Sequence, residues 1–217
     1  MFRNTSIPPV LFITGTDTGI GKTLVSAVLT AGLRAEYWKP VQSGLLEITD
    51  LQWMKEKTGL PDTHFHEETY RLKRPLSPHE SAEIEGVRIN LDAFRTPDRR
   101  SAGHLIIEGA GGIMVPLNDR RLMIDLMCKI GAPVLLVASS GLGTINHTLL
   151  SLEQLKRRGL DVYGVVMNGP RNPGNRKAIE RHGRVSVCAE IEPLDEINPE
   201  TLREVFNRTF KTSAISG

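Results

Sequence analysis

GTDTGIGKT, residues 15–23, is the stretch that decides the fold of this chain. The apolar run at 10–13 before it predicts a short buried strand, and the run at 24–29 after it predicts the start of a helix. A glycine-rich turn in this setting binds phosphate, because its backbone N–H groups converge and the helix N-terminus adds positive charge. Lys22 can then reach the β- and γ-phosphates of a nucleotide, and the Thr23 hydroxyl can bind Mg²⁺.

The spacing of the glycines departs from the common phosphate-loop pattern, Gly-x-x-x-x-Gly-Lys-[Ser/Thr]. Counting back from Gly21, the first glycine belongs at position 16, which is Thr16. The glycine is one residue earlier, at Gly15, and another lies inside the loop at Gly19. Nucleotide binding is therefore predicted, but membership of the commonest kinase and GTPase classes is less favoured.

The composition is that of one ordinary globular domain. The chain has 217 residues, 40% of them hydrophobic and 24% charged, so a single domain over 1–217 is expected. Its 27 basic and 25 acidic side chains leave a net charge of +2, which disfavours a nucleic-acid partner, since such proteins usually have a strong basic excess. The basic clusters are short and scattered, which predicts solvated surface: Lys73-Arg74, Arg99-Arg100, Arg120-Arg121 and Lys156-Arg157-Arg158.

Two further features favour a cytoplasmic protein. Cys128 and Cys188 are the only cysteines and both lie among apolar residues, which predicts buried free thiols in a reducing compartment. No apolar run approaches the length that spans a bilayer, and residues 1–9 lack the apolar core of a signal peptide. No membrane association is expected.

Short apolar runs alternate with helical patterns along the chain. The predicted strands are rich in Val, Ile and Leu, as strands buried on both faces are, and lie at 10–14, 35–39, 104–108, 133–138, 161–167 and 185–189. The predicted helices lie at 22–32, 49–58, 121–129, 145–158, 174–182 and 199–209. This alternation predicts a three-layer α/β fold, a P-loop NTPase-like parallel sheet with helices on both faces.

The stretch 59–100 interrupts this alternation. It contains four prolines and no convincing strand, so we expect a loop-rich excursion with short helices at 79–85 and 91–95. His64 and His66 lie in it near acidic residues. A metal site is compatible with that pattern, but a solvated loop fits it better.

Polar and glycine-rich residues follow several predicted strands where each ends. In a parallel sheet these carboxyl ends meet at one edge, where ligands bind. Glu108 closes an apolar strand, and a buried carboxylate needs a cation, for which Mg²⁺ on nucleotide phosphates is the natural candidate. Asp50 precedes an amphipathic helix and is either a second Mg²⁺ ligand or the N-cap of a helix over 51–58.

Two other positions at this edge have a functional and a purely structural interpretation. Lys39 ends a strand beside Pro40, and it either reaches solvent or, as we favour, acts on substrate charge. Residues 143–146 open a helix, whose N–H groups either hold an anion such as a carboxylate or simply start the helix.

Together these motifs resemble those of the dethiobiotin synthetase family, the ATP-dependent carboxylases of biotin biosynthesis. The early glycine of the phosphate loop is the family's own form. The segment between Thr23 and Lys39 is shorter than the family's usual one, and the match weakens beyond Asn168. The matching segments are Gly15-Thr16-Asp17-Thr18-Gly19-Ile20-Gly21-Lys22-Thr23, Lys39-Pro40-Val41-Gln42-Ser43-Gly44, Ser77-Pro78-His79, Glu108-Gly109-Ala110-Gly111-Gly112 and Gly143-Thr144-Ile145-Asn146-His147.

The resemblance implies an ATP- and Mg²⁺-dependent cyclo-ligase. One amine of 7,8-diaminononanoate would capture CO₂ as a carbamate, which ATP would phosphorylate. The second amine would then close the ureido ring and expel phosphate, giving dethiobiotin, ADP and phosphate. Lys22 and Lys39 would be the catalytic residues, because such a transition state needs positioning and charge neutralisation.

The resemblance also implies roles for the other site residues. Thr23, Asp50 and Glu108 would hold Mg²⁺, and Thr18 and Ser43 would bind the diamine or carbamate. Gly143, Thr144, Ile145 and Asn146 would bind the distal carboxylate of a substrate held by the partner subunit of a homodimer. ATP contacts are implied for Gly19, Ile20, Gly21, Lys22, Thr23, Leu24, Asp50, Glu108, Gly109, Ala110, Gly111, Asn168, Gly169, Glu192, Pro193 and Leu194, with Asn168 and the last three facing adenine.

Two other functions fit the same fold class. A cobyrinic acid amidating ligase usually carries an additional glutaminase domain, for which this chain has no room. A partition or septum-positioning ATPase carries an early lysine in a Lys-Gly-Gly phosphate loop, whereas this loop begins Gly15-Thr16-Asp17. The fold cannot separate these functions, so the site must.

Overall fold

The computed structural model describes residues 6–99 and 103–211, in which strands and helices alternate. The strands are β1 (Val10–Gly15), β2 (Glu36–Trp38), β3 (Val41–Ser43), β4 (Phe65–His66), β5 (Tyr70–Leu72), β6 (Leu105–Gly112), β7 (Pro116–Asn118), β8 (Arg121–Leu122), β9 (Val134–Ser139), β10 (Val162–Asn168) and β11 (Val187–Ile191). The helices are α1 (Lys22–Leu33), α2 (Asp50–Thr58), α3 (Pro78–Ile84), α4 (Met123–Ile130), α5 (Thr144–Arg157), α6 (Pro173–Gly183) and α7 (Pro199–Phe206).

Seven strands form one parallel sheet in the order β11-β10-β9-β1-β6-β2-β4. Every neighbouring pair in it is parallel, so the carboxyl ends of all seven lie at the same edge. β1 is the central strand, which places the phosphate loop in the middle of that edge. The predicted parallel α/β sheet is confirmed.

Successive residues of the buried strands face two separate apolar cores. Leu11 and Ile13 of β1 pack into the core that includes buried residues of α1, α2 and α7. Phe12 between them packs into the other core, with buried residues of α4, α5 and α6. Because side chains alternate across a strand, each strand serves both layers, and the three-layer arrangement follows.

The prediction that 59–100 contains no strand is wrong. β4 forms the edge of the main sheet through parallel pairing with β2, and β5 pairs with β3 in a separate two-stranded sheet. These strands are two and three residues long, too short for a recognisable apolar run. The short helices are found at α3 and as a 3₁₀ turn at Leu91–Ala93.

His64 and His66 are buried rather than solvated. The His66 ring lies 2.6 Å from the Glu36 carboxylate across the β2–β4 pair, and His64 contacts the Ala35 carbonyl at 3.0 Å. Within 6–99 and 103–211, no group of three His, Cys, Asp or Glu side chains could hold a metal. The possible metal site at His64 and His66 is therefore not formed there.

The two cysteines form no disulfide with each other, as predicted. The prediction that both are buried is wrong. Each is partly exposed. Cys188 lies 3.3 Å from the Val165 carbonyl, and burial raises the pKa of its thiol to about 12. Cys128 lies near the C-terminus of α4, on the wall of a surface cavity.

None of the helices in the described ranges has the length and apolarity to span a bilayer.

Two helices approach each other closely at Gly32. A Cβ atom built on Gly32 of α1 would lie 2.0 Å from a ring atom of Phe206 in α7. In α6, by contrast, the nearest atom to a Cβ on Gly174 would be 3.5 Å away, an ordinary contact. The side of α1 facing α7 therefore tolerates no side chain without repacking.

We expect Gly32→Ala to lower the free energy of unfolding by about 1–3 kcal/mol, the usual cost of overpacking a core. The matched change Gly174→Ala should be neutral or stabilising, since alanine favours a helix over glycine by about 1 kcal/mol. Urea unfolding followed by circular dichroism measures both. Equal stability of the two variants would contradict the close packing of α1 against α7.

Candidate active site

The phosphate loop connects β1 to α1 at the centre of the sheet edge. Gly19 and Gly21 have φ angles of 74° and 93°, in the left-handed region that glycine adopts without strain. A Cβ on Gly21 would also lie 2.2 Å from the amide nitrogen of Asn168, so a side chain is excluded there. That amide donates a hydrogen bond to the Ile20 carbonyl at 2.9 Å and ties the loop to the end of β10.

Lys22, the first residue of α1, is buried inside the loop. Its ammonium donates to the Asp17 carbonyl at 2.8 Å. Burial is the main cause that lowers the pKa of Lys22, and the charge of Lys39 lowers it further, while Glu108 acts in the opposite direction. The charge of Lys39 therefore acts on the ammonium of Lys22.

Two carboxylates meet at the hydroxyl of Thr23. This hydroxyl lies 2.8 Å from the Asp50 carboxylate and 2.9 Å from the Glu108 carboxylate. Glu108 is completely buried in β6, while Asp50 begins α2. The three predicted Mg²⁺ ligands, far apart in the sequence, are thus brought together at the mouth of the phosphate loop.

Lys39 bridges the same two carboxylates. Its Nζ lies 2.5 Å from Asp50 and 3.2 Å from Glu108. Burial alone would lower the pKa of Lys39, but the charges of Glu108 and Asp50 outweigh it and raise that pKa. Burial likewise opposes ionisation of Asp50, yet Lys39 outweighs it and lowers the Asp50 pKa. Lys39 and Asp50 therefore stabilise each other's charged form.

The connection between α1 and β2 is short, and Lys39 follows directly after β2, within reach of Glu108. Arg34 ends α1 in the left-handed conformation at φ 50°, and the Ala35 N–H closes the turn on Thr30 at 2.9 Å. β2 begins immediately afterwards at Glu36, so the connection between the helix and the strand consists of Arg34 and Ala35 alone. Lys39 still reaches Glu108 from the end of β2.

Tyr37 belongs to this cluster and was not predicted. Its hydroxyl donates to the second oxygen of Glu108 at 3.0 Å, and the residue is fully buried. Burial, followed by the charge of Glu108, raises the pKa of Tyr37 well above its usual range. The available signal was its position two residues before Lys39, since alternate residues of a strand share one face.

The N-cap of α2 decides whether Asp50 is the cap of this helix, one of its two interpretations. Thr49 is the N-cap: its hydroxyl accepts from the Gln52 N–H at 3.2 Å, and the Gln52 side chain accepts from the Thr49 N–H. Asp50 as N-cap is therefore wrong. Its carboxylate is directed instead to Thr23 and Lys39, in the charged cluster.

A cleft of about 840 Å³ opens over this cluster. Thr18 and Ser43, predicted to bind substrate, both line it. The Ser43 hydroxyl is buried and has no hydrogen-bond partner within 6–99 and 103–211, which suits a group that awaits a ligand. Sequence reasoning missed part of the wall, contributed by Gln42, Pro75, Leu76, Pro78, Glu80 and Val115.

The oxygen atoms at this point fit a magnesium ion. Mg²⁺ prefers hard oxygen ligands, and it is usually held by one or two carboxylates together with substrate phosphates. Thr23, Asp50 and Glu108 offer a hydroxyl and two carboxylates within hydrogen-bond distance of one another. The donor set is thus of the right chemistry for Mg²⁺ beside a phosphate loop.

The predicted glycine-rich contacts after β1 and in the last part of β6 lie beside the cleft. Gly19, Gly21, Ala110 and Gly111 line it. Ile20 and Leu24 adjoin these residues in the chain, and Gly109 packs below them, where a Cβ would lie 3.0 Å from the ring of Phe12.

The residues expected around adenine lie farther along the edge. Asn168 and Gly169 end β10 beside the phosphate loop, and the Gly169 N–H donates to Ile191 at 2.8 Å. Residues 192–194 follow β11, and Glu192 pairs with Arg171 at 3.1 Å rather than lining the cleft.

The helix start at 143–146 also lies outside the cleft of its own chain. Gly143 caps α5 at φ 90°, and the buried Thr144 hydroxyl donates to the Ser139 carbonyl at 2.5 Å. Asn146 and the neighbouring Leu142 are exposed. The side chain of Thr144 is thus used within the helix start, while Asn146 faces outward.

Comparison with known proteins identifies the family. The model of the AAA domain family matches residues 10–201. The ATP-dependent dethiobiotin synthetase BioD of Paramagnetospirillum magneticum is 50% identical over 92% of this chain and 96% of its own. The enzyme of the same name from Agrobacterium fabrum is 47% identical over 91% of this chain and 92% of its own.

Among solved structures, the signal recognition particle receptor FtsY of Elizabethkingia anophelis resembles this chain with a TM-score of 0.51. At 16% identity, with 95% of this chain and 65% of the receptor covered, this likeness concerns the fold alone. The sequence relatives carry the assignment. This chain belongs to the family of ATP-dependent dethiobiotin synthetases.

Proposed function

We propose that the chain catalyses the ATP-dependent carboxylation and ring closure of 7,8-diaminononanoate to dethiobiotin, ADP and phosphate. The observation that carries this proposal is the convergence of Lys22, Lys39, Thr23, Asp50 and Glu108 beneath one open cleft. This arrangement suits transfer of a phosphoryl group to an anionic acceptor. We expect the reaction to take place in the cytoplasm.

The reaction needs three steps. One amine of the diamine adds to CO₂ and loses a proton, which gives a carbamate. A carbamate oxygen attacks the γ-phosphorus of ATP, the bond to ADP breaks, and a carbamic–phosphoric anhydride forms. The second amine attacks the carbonyl carbon, and phosphate leaves as the ureido ring closes.

The two lysines supply the positive charge that these steps require. Negative charge develops on the phosphoryl oxygens during transfer, and fixed cations stabilise it in a buried site. Lys22 reaches from the phosphate loop, and Lys39 reaches from the end of β2. Thr18 and the unpartnered Ser43 hydroxyl would hold the carbamate or amine, which keeps the attacking oxygen near the phosphate.

We assign the magnesium site to Thr23, Asp50 and Glu108. When bound there with ATP, Mg²⁺ would neutralise charge on the phosphate oxygens. The nucleotide would lie along the sheet edge, over the loop residues 19–24 and 109–111, with adenine towards Asn168, Gly169 and the segment Glu192, Pro193 and Leu194.

We further propose a homodimer with shared active sites. Gly143, Thr144, Ile145 and Asn146 do not line the cleft of their own chain, whereas the exposed Asn146 and Leu142 are available to a second copy. In a two-fold dimer the contact would be reciprocal. Each helix start would then bind the distal carboxylate of the substrate in the other subunit, through backbone N–H groups and the exposed side chain of Asn146.

Removing either lysine should abolish most of the turnover. We expect Lys22→Ala and Lys39→Ala each to reduce kcat by about 10²–10³-fold, as loss of one fixed charge-stabilising donor does. The exposed Lys177, which forms no ion pair in the described ranges, supplies the control Lys177→Ala. A kcat for Lys39→Ala close to that of the control would exclude Lys39 from the mechanism.

The metal assignment predicts a changed magnesium requirement. Asp50→Asn and Glu108→Gln should each raise the Mg²⁺ concentration for half-maximal activity by about tenfold or more, since even outer-shell changes have effects of this size. Glu204→Gln, an exposed carboxylate in α7, controls for loss of charge. An unchanged Mg²⁺ titration in both site variants would contradict the assignment.

A complementation experiment tests the shared site. Lys39→Ala and Asn146→Ala proteins should each be inactive, but after free subunit exchange half of the dimers would be mixed and would keep one intact site of two. Activity should recover to about a quarter of the unsubstituted level by this two-fold counting. If exchange is demonstrated by mass spectrometry and no activity returns, each site is built from a single chain.

A further inference from the structure

A second cavity, of about 760 Å³, lies apart from the catalytic cleft and shares no wall residue with it. Its walls come from the segment 88–92, the β7–β8 turn, the last turn of α4 and the residue after α5. At about 1.5 Å per residue, α5 separates Arg158 from the helix start at Thr144 by roughly 20 Å. The cavity is therefore not an extension of the proposed substrate site.

The cavity gathers basic residues that are scattered in the sequence. Two of the clusters predicted to be solvated surface, at 120–121 and 156–158, contribute to the same walls. The lining contains five cations against two carboxylates, an excess that exceeds the net charge of +2 of the whole chain. The cations are Arg88, Arg120, Arg121, Lys129 and Arg158.

Both carboxylates of the cavity already have a partner. Lys129 pairs with Asp92 at 3.0 Å, and Arg158 pairs with Asp125. In the described ranges, Arg88, Arg120 and Arg121 form no ion pair, although the charge of Arg121 acts on Asp92 and Asp125. Three guanidinium groups thus make no direct contact with a carboxylate. Such groups bind carboxylate or phosphate oxygens well, because their planar donor set matches two acceptor oxygens at once.

The backbone that carries two of these arginines is held in place. The Asn118 side-chain oxygen accepts from the N–H groups of Arg120 and Arg121, each at 2.9 Å. The Asn118 amide donates to the Ile89 carbonyl at 2.7 Å, which fixes the turn to the opposite wall beside Arg88. A pre-formed arrangement lowers the ordering cost of binding.

We propose that this cavity binds a small anion with at least two carboxylate or phosphate groups, at a site separate from the nucleotide. A volume of about 760 Å³ is in the range of small-molecule sites. A ligand with two anionic groups offers the three guanidinium groups more acceptor oxygens than a single carboxylate does. The basic residues surround one local depression of the surface, which distinguishes them from the extended basic stripe of a nucleic-acid-binding surface.

The test is calorimetric titration of the full chain with citrate and, separately, with pyrophosphate. Protein carrying Lys22→Ala is used in both titrations, because that change disables the phosphate loop as a competing anion site. We expect saturable binding of one anion per chain, weaker at higher salt. Citrate and pyrophosphate together distinguish a carboxylate from a phosphate ligand, and acetate is the single-charge probe.

The deciding variants remove the unpaired arginines. Arg120→Gln with Arg121→Gln should weaken binding by about tenfold or more, since a hydrogen bond to a charged group contributes about 1.5–3 kcal/mol. Arg181→Gln with Arg203→Gln removes the same charge from exposed positions outside the cavity and should leave binding unchanged. Arg88→Gln tests the other wall if circular dichroism shows that the first pair fails to fold.

Three results would overturn the proposal. They are no saturable binding of either anion, equal weakening by the cavity and control pairs, and acetate binding as tight as that of the polyvalent anions. None of these measurements depends on turnover, so the proposed reaction and this site can fail independently.

Discussion

The buried carboxylate of Glu108 constrains the whole catalytic edge. An isolated charge at this depth would cost many kcal/mol, so the structure must supply partners. Lys39 neutralises it from β2, Thr23 meets it from α1, and Tyr37 donates to its second oxygen. Three elements are thereby held in one register around a single side chain, with Asp50 closing the cluster from α2.

The sequence pattern predicted those parts of the fold that consist of long apolar strands. The central strands are buried on both faces, so their composition alone marks them, and the helices between them have a regular period. β4 and β5 escaped prediction because they are short and carry polar residues such as His66 and Arg71. Their pairing with β2 and β3 is a tertiary effect, which no local pattern contains.

The candidate site was predictable wherever one side chain had only one plausible partner. Glu108 and the phosphate loop fall into this class, whereas Lys39 had two interpretations. Asp50 was the one cap considered for α2, and only the folded chain shows that Thr49 accepts the Gln52 N–H instead. Tyr37 was not predicted because an aromatic residue in a buried strand is usually part of the hydrophobic core. The basic residues of the second cavity likewise come from separate segments, which only the folded topology brings together.

The close packing of Gly32 against Phe206 has a consequence for how the protein is made. The helix that carries Lys22 emerges early during synthesis, but the surface that covers it belongs to α7, near the other end of the described chain. β1 likewise lacks its two neighbouring strands until β6 and β9 have been synthesised. A nascent chain therefore holds an incomplete nucleotide site with exposed apolar surface until α7 has been synthesised, a state that chaperones recognise.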